Sequence, residues 1–255
     1  MDMEKYFVAQ NSIVRKIWGK ADTVLFIFAG AAAEFALNKA VDWLYFTGRL
    51  PADPLARLFS TVEYARQIIF SEEQNALAAI DRITAIHQDV EKKRQDKIPD
   101  WAYRDVLYLL IDYSIRSYEL LESKLTEAEK NEVFKVFLRV GERMHLAGLP
   151  GNYVAWAVSR AAHLKQNLVK SKFTTDLYLQ YKKHLGKVRY VILKQVQFQL
   201  VPPVVSALLG LKNKYWLIPL LQLYKLFRII KLGTHLKSTL LPAAYKTRIL
   251  QLDIK

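Results

Sequence analysis

The chain has 255 residues, 52% of them hydrophobic, and its 38 lysines and arginines outnumber its 24 aspartates and glutamates for a net charge of +14. It contains no cysteine, which excludes disulfides, zinc ribbons, a thiol nucleophile and a thiolate ligand to iron. Nine glycines, eight prolines and few alternating β-branched runs give an all-α composition, long enough to bury a core as a single domain over residues 1–255.

The opening segment MDMEKYFVAQ is acidic and polar where an export signal is basic and then apolar, so the expected location is cytoplasmic. No apolar run reaches the length of a membrane span: Thr23 to Ala33 is ended by Glu34, and Val201 to Leu211 by Lys212. Residues Ala21 to Phe46 read as one nearly all-apolar helix. Its small-residue patch from Gly30 to Ala33 allows close approach, by a neighbouring helix in the first place and by a flat ligand in the second. Glu34 and Asp42 lie in the same helix. A buried carboxylate is costly unless paired, so each predicts an arginine partner or a proton-transfer role.

Asp53 followed by Pro54 marks the next helix start, a side-chain acceptor at the N-cap and then a proline whose missing N–H costs nothing. That helix should run to Phe70. Ser71 to Gln74 has the spacing of a capping box, which predicts a second helix from Glu72. On the first helix Leu58, Val62, Ala65 and Ile69 define the buried arc and Ser60, Glu63 and Gln67 lie opposite. Thr61 falls inside the arc, with Arg57 and Tyr64 at its edge. On the second helix Ala76, Ile80, Ile83 and Val90 share a face with His87. A cation, a hydroxyl and an imidazole thus converge on the interior. Each also has an ordinary reading: a hydrogen-bonded core histidine, a snorkelling surface arginine, and a threonine bonded to its own helix.

After the charged connector KKRQDK, Asp100 to Ser123 predicts a helix carrying Tyr103, Tyr108, Tyr113 and Tyr118, aromatics that line a pocket or simply fill core. Thr126 and Glu129 form another capping box, and the helix they open stops before Gly148 and Pro150, with His145 placed to complement the helix dipole at its end. Helices over Asn152 to Lys170 and Thr174 to His184 follow, and Pro202-Pro203 marks a break. The five histidines, His87, His145, His163, His184 and His235, include no i, i+4 pair, so a two-histidine helical metal motif is absent.

The charge is concentrated at the end: from Tyr181 to Lys255 there are 14 basic residues and one acidic residue, Asp253. Such a bias attracts polyanions. Residues 200–255 form a basic amphipathic part in which Tyr215 to Leu232 places Lys225, Arg228 and Lys231 on one side and Trp216, Leu220, Leu223, Phe227 and Ile230 over much of the rest, with Pro219 setting a helix start. That is too apolar for a nucleic-acid groove. It fits an interfacial helix on an anionic membrane, each cation worth about 1 kcal/mol there, or equally a core helix with a basic edge.

The stretch from Ile17 to Gly48, then DPLARLFSTVEY, RITAIHQDV and YELLESKLTEAEKNEVFKVFLRVGE, and more weakly QFQLVPPVVSALLGL, resembles the family of haem oxygenases that includes the MpaB-type farnesyl-cleaving enzyme and the latex-clearing rubber oxygenases. The resemblance implies an all-α domain enclosing a b-type haem, one axial histidine, and an arginine and a threonine four residues apart on the preceding helix. It also implies O₂-dependent cleavage of C=C bonds in an apolar isoprenoid or unsaturated lipid. By position the axial ligand matches His87, and Arg57 and Thr61 match the pair that either hydrogen-bonds oxygen-derived species or orients haem propionates. Three positions depart from the pattern. Ser60 stands where the rubber oxygenases have lysine, Leu37-Asn38 where an early His-Pro is frequent, and Leu107 where a later histidine is common.

The resemblance thus leads to the expectation of a haem b oxygenase with His87 on the iron, cytoplasmic and, where the basic helix is interfacial, peripheral to the inner face of an anionic membrane, without a nucleic-acid partner. The rivals are a haem carrier or sensor of the same fold and a cofactor-free, membrane-peripheral helical protein.

Overall fold

A computed structural model of the chain describes residues 5–48, 52–212, 215, 218, 219, 221, 222 and 224. Among these the regular elements are helices, and the only β features are two isolated bridges, Tyr6 with Glu72 and Asn38 with Leu168. The all-α expectation is met. Most of the Tyr215 to Leu232 helix, including Lys225, Arg228, Lys231, Trp216, Leu220, Leu223, Phe227 and Ile230, lies outside the described residues, as does the side chain of Leu58.

The helices are α1 (Ile13–Trp18), α2 (Ala21–Phe35), α3 (Val41–Phe46), α4 (Pro54–Phe70), α5 (Glu73–Arg94), α6 (Asp100–Leu121), α7 (Glu127–Arg143), α8 (Tyr153–Gln166), α9 (Lys172–Leu200) and α10 (Pro203–Leu209). At the centre α2 lies along α6. α2 is buried nearly all round, so an amphipathic stripe is neither present nor needed. A Cβ on Gly30 would sit 2.3 Å from the Tyr113 ring, so the small-residue patch serves helix packing. Trp18, Tyr108, Tyr113, Phe59, Phe134 and Ile80 are among the fully buried side chains of the surrounding core. Each large apolar group removed from water contributes roughly 1.5–3 kcal/mol.

Several ends form as the local chemistry dictates. Asp53 accepts from the amides of Leu55 and Ala56 at 3.2 and 2.9 Å, ahead of Pro54. Thr126 and Glu129 close their capping box, and Asn152 caps α8 through the Ala155 amide at 2.9 Å. Pro203 opens α10.

Two expectations fail. The run from Ala21 to Phe46 is two helices, because Asn38 turns inward: its amide donates to Asp105 at 2.8 Å, and its carbonyl oxygen accepts from the Ala40 amide. The capping box at Ser71 does not form either. Ser71 ends α4, and α5 begins after Glu72 with no side-chain cap. The N-terminal segment supplies the partner instead, the Glu73 amide donating to the Lys5 carbonyl at 3.1 Å beside the Tyr6 bridge. Elsewhere the helix expected over Thr174 to His184 restarts past Gly186, whose φ of 75° and ψ of 170° interrupt α9.

Candidate functional site

α4 and α5 follow one another in sequence and pack on each other, which brings Arg57 into electrostatic range of His87. His87 is half-buried, but its Nδ1 is fully shielded and has no hydrogen-bond partner. Burial pushes the imidazole down to about 4, the Arg57 charge pushes the same way, and Glu91 one turn later opposes them. At neutral pH the ring is therefore uncharged and has a lone pair to give. Tyr103 from α6 meets His87 edge-on, with ring centroids 5.2 Å apart. Its hydroxyl donates to Glu91 Oε1 at 3.0 Å, and the Ile98 amide donates to the same oxygen at 3.0 Å. Burial, with the Glu91 charge beside it, raises the Tyr103 phenol above its usual range, so it stays a neutral donor.

Arg57 contacts two hydroxyls of its own helix. Its Nη1 donates to Ser60 Oγ at 3.1 Å and reaches Thr61 Oγ1 at 3.5 Å. Both hydroxyls in turn donate to the Arg57 carbonyl, at 2.8 and 3.1 Å. Thr61 thus makes the helix-internal bond open to any helical threonine, and it also faces the guanidinium. The structure brings Arg57 together with Thr61 on α4 and with His87 across the helix pair.

A family model described as ER-bound oxygenase mpaB/B'/rubber oxygenase, catalytic domain, matches residues 15–229. The chain belongs to that family. The family is described as one of oxygenases, and the match begins within α1 and runs through α10. No individual curated protein matches the chain.

Beyond the family pattern, α8 contributes to two buried polar clusters, of which the sequence signalled only the first. Arg160 is 4% exposed and forks between Glu34 on α2, with one contact at 2.6 Å, and Asp112 on α6, at 3.0 Å. Tyr113 donates to Glu34 at 2.9 Å, and Arg116 completes the set on Asp112 at 2.6 Å. Burial alone would lower Arg160, but the two carboxylates outweigh it and hold the guanidinium above its usual range. Glu34 therefore takes the arginine partner rather than the proton-transfer role. Asp42 does likewise with Arg94 at 2.7 Å, the guanidinium lying 3.9 Å from the Trp43 ring centre. In the other cluster His163 Nδ1 contacts Asp105, whose second oxygen accepts from Asn38 and Asn167 at 2.8 and 3.0 Å. The signal for the first was present in the two acidic residues of an apolar helix. Nothing in the sequence pointed to Asp105 or His163.

Among the described residues no three His, Cys, Asp or Glu side chains could hold a metal ion together, and no helix is long and apolar enough to cross a membrane.

Proposed function

We propose that this protein is a haem b-dependent oxygenase that oxidatively cleaves or oxidises C=C bonds of an apolar isoprenoid or unsaturated lipid with O₂, with His87 as the axial ligand. The observation that carries the reading is His87 itself. Burial and the Arg57 charge hold the ring neutral, the form in which an imidazole can ligate iron, and its Nδ1 is buried without a hydrogen-bond partner. The donor set also fits, because an iron held by a single protein side chain would take its remaining ligands from a macrocycle. Haem, when bound, would supply the O₂ activation that no side chain can provide.

The chain's own residues have supporting roles. Arg57 places a positive charge near His87, which adds to burial in lowering the imidazole, and would serve an oxygen-derived anion or a haem propionate. Thr61 holds the guanidinium on the inner side of α4. Tyr103 and Glu91 limit how the imidazole can turn. Arg94, seven residues beyond His87 on α5, pairs with Asp42 through Nη2 and keeps a buried Nη1 without a partner. The basic residues of the last quarter would hold the protein peripherally at an anionic membrane from which an apolar substrate is drawn. A haem carrier or sensor of the same fold is the second reading. Ser60, standing where the rubber oxygenases have lysine, spends its hydroxyl on Arg57 and leaves no acid–base group there.

The reading is tested by reconstituting purified protein with haemin and following O₂ uptake on a panel of unsaturated isoprenoids, with carbonyl products identified by mass spectrometry. Stoichiometric O₂ uptake and chain cleavage support it. Stable haem binding with no uptake on any alkene would replace it with the carrier or sensor reading.

A further inference from the structure

A cavity of about 400 Å³ opens where α9 is interrupted at Gly186. Thr175 and Tyr178 come from the first half of α9, Tyr190 and Lys194 from the second, and residues 209–212 close the side. Among the described residues its lining includes Lys170, Lys194 and Lys212 and no aspartate or glutamate. The Lys194 ammonium lies 4.8 Å from the Tyr190 ring centre. Tyr178, raised well above the usual phenol range by burial, remains uncharged, so nothing in the lining offsets the three cations.

An open surface groove of about 460 Å³ shares Gly210, Leu211 and Lys212 with the cavity and continues over Phe198, Val201, Pro203 and Ala207. Its character is apolar, with Ser206 contributing one hydroxyl. The shared wall is built rather than loose. Gly210 takes a left-handed φ of 63° after α10, so its amide returns to Ala207 at 3.1 Å and the Leu211 amide to Ser206 at 3.0 Å. Gln195 then donates to the Lys212 carbonyl at 2.9 Å and ties that wall to α9. The two volumes each fall in the range of small-molecule sites, roughly 300–1,000 Å³.

We propose that the cavity and the adjoining groove form one binding site for a single-chain amphiphile with an oxyanion head, a carboxylate or a phosphate monoester. The head sits among Lys170, Lys194 and Lys212, and the hydrocarbon chain runs over Phe198, Val201, Pro203 and Ala207. The charge arrangement selects the head and the apolar trough selects the tail. None of these residues lies on α4 or α5, so the site stands whether or not His87 binds haem.

The test uses the full chain and displacement of a fluorescent polyene fatty acid below its micellar concentration. Oleate should displace one equivalent, and oleyl alcohol should compete at least tenfold more weakly. Dodecyl phosphate against dodecanoate decides which oxyanion is preferred, while displacement by inorganic phosphate alone would show an anion site without a tail and overturn the proposal. Lys194→Gln with Lys212→Gln should weaken oleate about tenfold with an unchanged helical spectrum. Ala207→Trp, at an exposed position on the trough, should weaken oleate and oleyl alcohol alike. Equal affinity for oleate and its alcohol, unsaturable uptake of many equivalents, or binding seen only with anionic vesicles would each overturn the proposal.

Discussion

The most quantitative consequence of the His87 environment is a dependence of stability on pH. Free histidine titrates near 6.5, and in the folded protein burial and Arg57 bring His87 down to about 4. The unfolded chain therefore takes up this proton first as pH falls. The fold is unpenalised above pH 6.5 and loses stability progressively as pH drops from 6.5 toward 4. At pH 4.5 the unfolded ring is almost fully protonated and the folded ring mostly neutral, which makes the loss about 2.5 kcal/mol relative to pH 7. For a chain of this size each kcal/mol moves the melting temperature by about 2–4 °C, so His87 alone should contribute roughly 5–10 °C of acid destabilisation. The rest of the protein adds its own pH dependence, so the measurement is a difference. Haem-free protein and His87→Gln are melted by circular dichroism at pH 7 and pH 4.5. The variant, with nothing to protonate at this position, should lose 5–10 °C less between the two. Equal losses would show that His87 is not held neutral, and the argument for its free lone pair would fail.

Three further outcomes follow from the buried contacts. Arg57→Met should raise the pH at which the His87 ring proton signals shift in NMR, because one of the two influences depressing it is removed. Arg160→Met leaves Glu34 and Asp112 buried opposite an apolar side chain, and losing one partner of a buried ion network costs about 3–5 kcal/mol. The melting temperature should fall by roughly 6–20 °C, while Arg160→Lys should recover part of it. Gly30→Ala drives a methyl into the Tyr113 ring, which cannot slide away because its hydroxyl is held by Glu34, so a cost of about 1–3 kcal/mol is expected in denaturant titration.

What was legible in the sequence is what short-range chemistry decides. Asp53-Pro54, Thr126 with Glu129, and Asn152 each act through amides two or three residues away, and each forms the expected helix start. Ser71 has the same local spacing but loses the competition to Lys5 and Tyr6, which only the tertiary fold brings to the start of α5. The unbroken apolar run from Ala21 to Phe46 likewise hides the break at Asn38, since the partner that turns it, Asp105, lies on another helix. Glu34 and Asp42 announced a need for cations without saying where those cations would come from; Arg160 and Arg94 answer from distant helices. At the candidate site, periodicity placed His87 and Arg57 on facing surfaces, but the depression of the imidazole depends on the desolvation that α4, α5 and α6 produce together.

The most direct test of the central claim is the ultraviolet–visible spectrum of protein expressed with a supplemented haem precursor, recorded beside His87→Ala prepared identically. The account predicts a Soret band in the first that is lost or shifted in the second. An identical Soret band in both would remove His87 from the iron, and well-folded helical protein with no Soret band in either preparation would contradict haem binding altogether.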